Sequence, residues 1–161
     1  MQRLGLVSAT ACAVALAAAM GGVQLAGANG QDNDNRRDGR PCSEATIRGD
    51  YGIQIQGTRP APGGLTESVI GVVLRNYDGR GNISQVDNVK GSITGIVPDR
   101  QGFGTYEVSA DCTGIARFQP GPGVLLEERL VIVDNGREIR SMVLAPAPVM
   151  VTGVHQRIHT R

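Results

Sequence analysis

The chain has 161 residues, 16 Lys and Arg against 15 Asp and Glu, two Phe, three Tyr and no Trp. So even a charge balance gives no electrostatic reason to expect nucleic acid or an anionic membrane as partner, and so few aromatics argue against a base-stacking platform. The 23 glycines point to many turns and few helices.

Residues 1–28 read as an export signal. Arg3 supplies the positive start, Leu4 to Leu25 carries no charge, and Ala26-Gly27-Ala28 fits the small-x-small cleavage pattern. Cleavage after Ala28 is expected and leaves 133 residues (161 less 28), one domain's worth; an uncleaved N-terminal anchor helix is the alternative. No later stretch is long and apolar enough to be a membrane-spanning helix. The expected location is therefore secreted or periplasmic. Cys12 falls inside the signal, so Cys42 and Cys112 remain. A lone pair in an oxidising compartment forms a disulfide. It would close a loop of about 70 residues and contribute about 4 kcal/mol by the chain-entropy argument. No CxxC spacing supports a redox role, and two cysteines are too few for structural zinc.

Residues 29–41, NGQDNDNRRDGRP, contain nothing apolar to bury and are predicted to be a disordered polar leader. Asp32, Asp34 and Asp38 superficially resemble a calcium loop, but Arg36 stands where a further carboxylate is needed. Residues 42–158 then read as one β domain, with 159–161 a frayed tail. Cys42 to Ile47 fits one short helical turn with Ser43 as cap. Tyr51 to Gly57 follows as a strand, with Tyr51, Ile53 and Ile55 on one face and Gln54 and Gln56 on the other. Thr58 to Gly64 reads as a loop.

Ser68 to Ser92 is a strand–turn–strand unit around Asp78-Gly79-Arg80-Gly81-Asn82, and two glycines there permit the positive φ of a tight hairpin. Its first strand is apolar on both faces from Val69 to Leu74, which predicts burial on both sides or a covered lumen. Ser92 to Val97 and Gly104 to Ala110 read as one strand interrupted at Pro98 to Gly102. Ile115 to Gln119, Val124 to Val133, Glu138 to Leu144 and Val149 to Ile158 complete the set. Pro120-Gly121-Pro122-Gly123, Asn135-Gly136 and Ala145-Pro146-Ala147-Pro148 mark the turns between them. About eight strands joined this tightly should be antiparallel neighbours. The predicted fold is all-β, an eight-stranded antiparallel up-and-down barrel, with a β-sandwich as the alternative; the barrel is favoured because closure removes edge strands.

The order of these turn motifs, from Cys42 and Gly49-Asp50-Tyr51-Gly52 through Asp78-Gly79-Arg80-Gly81-Asn82, Gly104-Thr105-Tyr106-Glu107-Val108 and Asp111-Cys112-Thr113-Gly114 to Val133-Asp134-Asn135-Gly136-Arg137-Glu138-Ile139, resembles a family of small exported bacterial proteins. That family is related to the allene oxide cyclase barrel and, more distantly, to the lipocalin-like calycins. The resemblance spans nearly all of the exported chain. It implies an eight-stranded antiparallel barrel and a Cys42–Cys112 bridge. It transfers no catalytic residues.

The strand Val124 to Val133 carries an acid whichever face lines the core: Leu126, Glu128, Leu130 and Ile132 share one face. If that face points inward, Glu128 needs a partner, and Arg140 and Arg117 are the candidates. The simpler expectation is that these acids meet solvent near an open strand end. His155 and His159 are four apart, but on a strand running into a tail they converge on nothing, so neither metal nor cofactor is expected. No nucleophile elbow or Ser/His/Asp arrangement is present. The expected function is binding of a small apolar or amphipathic molecule in the lumen, with Tyr51, Ile70, Val72, Leu74, Tyr106, Glu128 and Arg140 as candidate ligand contacts. A filled structural module and a cyclase-like isomerase are the alternatives.

Overall fold

The computed structural model describes residues 41–158; the expected signal, nearly all of the polar leader and the 159–161 tail lie outside the described residues. Eight antiparallel strands close into a barrel in which each strand pairs with its sequence neighbours and β1 pairs with β8. The strands are β1 (Gly49–Ala61), β2 (Leu65–Tyr77), β3 (Asn82–Gly91), β4 (Gly95–Val108), β5 (Thr113–Gly121), β6 (Val124–Val133), β7 (Glu138–Ala145) and β8 (Met150–Arg157). Among the described residues the only helical pieces are 3-10 turns, at Glu44–Ile47, Pro62–Gly64 and Asp134–Gly136. The expected barrel is thus the observed one, and the sandwich is set aside.

Several strand ends differ from the expectation by a few residues, and two differences change the plan. β1 runs on through Thr58 to Ala61, where a loop was predicted, because Gly57 to Ala61 pair with Leu65 to Val69 on β2. β4 is continuous through Pro98. The ladder shifts there, with Asp87 opposite Arg100 and Val89 opposite Val97, so Asn88 faces both Pro98 and Asp99. Asp99 takes a φ of 46°, and its backbone N–H donates to the Asn88 side chain at 3.2 Å. One bulged residue therefore absorbs the proline, and the strand survives.

The meander puts alternate turns at opposite ends. One end is plugged. The Glu44–Ile47 turn lies across it with Ile47 fully buried, over Tyr51, Tyr77, Ile83, Tyr106, Ile132 and Ile139. The Tyr106 hydroxyl donates to the Glu44 carbonyl at 3.0 Å and accepts from the Gly79 N–H at 2.9 Å. Arg157 Nη2 donates to the Thr46 carbonyl at 2.7 Å, and the Tyr51 hydroxyl donates to the Gly136 carbonyl. Cys42 and Cys112 are joined as a disulfide, tying this plug to the β4–β5 turn. Gly136 has to be glycine: its φ is 78°, and a Cβ there would sit 2.3 Å from the Thr46 carbonyl oxygen.

The opposite end carries the β1–β2, β3–β4, β5–β6 and β7–β8 turns, and a cavity opens among them.

Candidate functional site: a half-filled lumen with a charged base

Period-2 alternation places the interior side chains. On β2 the inward set is Glu67, Val69, Gly71, Val73, Arg75 and Tyr77; on β3 it is Ile83, Gln85, Asp87, Val89 and Gly91. On β6, Leu126, Glu128, Leu130 and Ile132 point inward. The barrel interior therefore alternates like a core but carries charge. Each acid and base is inward because it shares parity with apolar neighbours that must be buried.

The cavity has a volume of about 410 Å³. Val69, Val73, Val89, Phe118, Leu126 and Val143 supply apolar wall. A connected line of polar groups crosses it. Arg75 Nη1 donates to Glu128 Oε2 at 2.8 Å, and Arg75 Nε donates to Gln85 Oε1 at 2.8 Å. Gln85 Nε2 donates to Asp87 Oδ2 at 3.1 Å, and Arg100 closes the line on Asp87 with bonds of 2.9 and 3.1 Å. Arg75 is 2% exposed and Glu128 6%, so this ion pair sits in the low-dielectric interior, where each charge needs the other. The Arg75 guanidinium also stacks on Phe118, 4.4 Å from the ring centroid. Burial alone would pull Arg75 down; the Glu128 carboxylate and the hydrogen bonds from Arg75 to Glu128 and the Tyr77 oxygen outweigh it and hold the guanidinium above its ordinary pKa.

Beneath the base the polar line continues into the plug. Arg75 Nη1 donates to the Tyr77 hydroxyl at 3.2 Å; that hydroxyl lies 3.2 Å from His155 Nδ1, and His155 Nε2 lies 2.9 Å from Ser141 Oγ. The assignment that satisfies every group has Tyr77 donating to Nδ1 and a neutral imidazole donating from Nε2 to Ser141. Burial, helped by the charge of Arg75, holds His155 well below the usual histidine range. Burial pushes Tyr77 up to about 12. Ser141 and His155 form a hydroxyl–imidazole pair, but neither lines the cavity, so the pair is placed to orient Tyr77 rather than to attack a ligand.

At the mouth, Glu67 pins the β3–β4 turn. Its Oε2 accepts from the backbone N–H groups of Ile93 and Thr94, both at 2.9 Å. Its Oε1 accepts from Thr94 Oγ1 at 2.7 Å and from Arg59 Nε at 2.8 Å. The Thr94 backbone bond, Arg59 and the remaining donors hold the Glu67 carboxyl at about 2. Gly91 makes room for it, since a Cβ at that position would fall 2.2 Å from Glu67 Oε2.

The sequence-derived ligand contacts distribute unevenly. Glu128 lines the cavity; it is paired and buried, contrary to the simpler expectation that it meets solvent. Its partner is Arg75, while Arg117 bonds Glu127 at 2.7 Å on the outside. Tyr51 and Tyr106 point inward, but into the plugged end. Ile70, Val72 and Leu74 are corrected: they are 60%, 61% and 51% exposed on the outer face. A strand apolar on both faces offers no alternation to choose between them, and the inward parity belongs to Val69, Val73 and Arg75. Arg140 is also corrected. It lies outside and donates to Glu138 at 2.7 Å, because β7 buries Ile139, Ser141 and Val143 instead. Sequence reasoning missed Arg75, Gln85, Asp87, Glu67 and His155. For the first four the available signal was parity: each sits two residues from a buried apolar side chain on its own strand, whereas His155 is flanked at that spacing by Gly153 and Arg157 and carries no such signal. Among the described residues no cluster of His, Cys, Asp and Glu has the makings of a metal site.

Comparison with family models, with curated proteins and with solved structures finds no match to this chain.

Proposed function

We propose that this protein is an exported barrel that binds a small amphipathic molecule in its lumen. The observation that carries the reading is the cavity of about 410 Å³ between an open mouth and a buried polar base. Ligand sites are typically concave, mostly apolar, with a few placed polar groups, and begin near 300 Å³. At water's share of roughly 30 Å³ per heavy atom, this volume takes a ligand of about 14 heavy atoms. The plugged end leaves one route, so ligand enters and leaves past the turns of the mouth. Relation to the allene oxide cyclase barrels is proposed at the level of fold alone, because the charged groups at the base are paired with one another and none is set as a nucleophile.

Native mass spectrometry of protein recovered from its own host tests this. A retained small-molecule mass is expected, and it should vanish in Val73→Trp, which fills the cavity. Repeated recovery of bare protein, together with no small-molecule binding in titration, would favour a purely structural barrel.

A further inference from the structure

Resting on the lumen-binding reading, we infer that the lumen selects a ligand whose polar head is uncharged and both donates and accepts a hydrogen bond. Two observations converge on this. The first is the charge count. The cavity is lined by Arg59, Arg75 and Arg100 and by Glu67, Asp87 and Glu128, three cations and three anions. Each is already in an ion pair: Arg59 with Glu67 at 2.8 Å, Arg75 with Glu128 at 2.8 Å and Arg100 with Asp87 at 2.9 Å. A carboxylate or ammonium head entering this space meets no unpaired opposite charge and loses its hydration without replacement.

The second is the set of atoms left open at the base. Arg75 spends Nε and Nη1 on Gln85, Tyr77 and Glu128, and Glu128 accepts at Oε2. Arg75 Nη2 and Glu128 Oε1 have no hydrogen-bond partner among the described residues. No fully buried side-chain nitrogen or oxygen of a described residue lacks a partner, so both atoms keep surface, and both residues face the cavity. One donor on Arg75 and one acceptor on its ion-pair partner Glu128, at the base of a mostly apolar cavity, match a primary amide or an alcohol: its oxygen accepts from Nη2 and its N–H or O–H donates to Oε1. The alkyl body then lies along Val69, Val73, Phe118 and Leu126.

Calorimetric titration of the wild-type protein at pH 7.5 with decanamide, decanoate and decylammonium separates the heads at constant chain length. Decanamide should bind tighter than either ion by on the order of 10-fold or more. Equal or tighter binding of decanoate or decylammonium overturns the inference. Pressurised xenon, followed by chemical shifts of the wall valines, reports on the cavity without a head group. Xenon uptake without a decanamide preference overturns the head-group inference and leaves the lumen reading standing; no uptake and no binding of any probe overturns both. Glu128→Gln adds a second arm. It leaves Arg75 as an unbalanced cation, so decanoate should now bind best and raise the variant's Tm, which it should not do for wild type. Should that variant not fold, the wild-type affinity order decides by itself.

Discussion

Arg75 on β2 and Glu128 on β6 meet across the lumen, Nη1 to Oε2 at 2.8 Å, although they stand 53 residues apart. Their strands are not paired with each other, so the bond ties two walls that the backbone ladder does not join directly. Buried pairs of this kind are costly to halve and cheap to replace whole. Glu128→Ala should lose about 3–5 kcal/mol in urea unfolding, because it strands the Arg75 charge. Arg75→Met combined with Glu128→Leu should recover most of that loss. A double variant as unstable as the single one would mean that the pair organises the lumen beyond its own charges.

His155 makes stability depend on pH near neutrality. Its folded pKa is depressed, so below the unfolded value of about 6.5 the unfolded chain takes up a proton that the folded chain refuses. The contribution is fully present above that pH. It is lost as pH falls, at up to about 1.4 kcal/mol per unit. His155→Gln, which keeps an amide between Tyr77 and Ser141, should flatten the decline between roughly pH 6.5 and 5. An unchanged slope in chemical denaturation would move its origin to another group.

Glu67 acts in a lower window. Its carboxyl is held at about 2 against an ordinary 4.5, so its contribution is present above 4.5 and disappears as pH falls from there toward 2. The protection of the Ile93 and Thr94 amides, measured as exchange relative to the intrinsic rate at each pH, should fall across that interval, and in Glu67→Gln it should be low already at pH 6. Gly91→Ala should reproduce the effect, since its new methyl takes the space of the carboxylate. Protection of both amides in Gly91→Ala would show that the β3–β4 turn is held by other means.

Adjacent residues of β2 separate wall from exterior. Val73 is buried and lines the cavity, whereas Val72 is 61% exposed. Val73→Asp should destabilise by about 3 kcal/mol or more, while Val72→Asp should stay within about 0.5 kcal/mol. Thermal melts of the pair check the inward parity of the whole strand. A reversed order would require a one-residue slip of the β1–β2 register.

The strand plan is legible because the turns announce themselves and because Tyr51 to Gly57 in β1 alternates. Val124 to Val133 was predicted with its observed limits. The site was only partly legible. The expectation that charge faces solvent holds for a packed core, but a barrel lumen is an inside that tolerates charge when it arrives in pairs. Arg75 was overlooked because its partners lie 10 and 53 residues away, on β3 and β6, and only closure brings them together. In sequence the only neighbour of His155 with metal-ligand chemistry is His159; its partners in the fold, Tyr77 and Ser141, sit on other strands. The doubly apolar run Val69 to Leu74 predicts burial on both sides or a covered lumen, and the structure buries only one face: Val69 and Val73 point inward while Ile70, Val72 and Leu74 stay exposed.

Closure itself has a kinetic consequence. Seven of the eight pairings join consecutive strands, and the remaining one brings Tyr51 opposite Arg157 across 106 residues. Bringing chain ends together costs more entropy as the intervening loop lengthens, so the hairpins can form early while the β1–β8 seam waits until the intervening sheet has curled enough to present its two edges. The seam then belongs to the late side of the folding barrier. Substitutions confined to it, such as Val151→Ala, opposite Gly57 on β1 and unpaired with β7, should speed unfolding and leave the folding rate nearly untouched, with φ near 0, whereas Val86→Ala in the β2–β3 hairpin should slow folding.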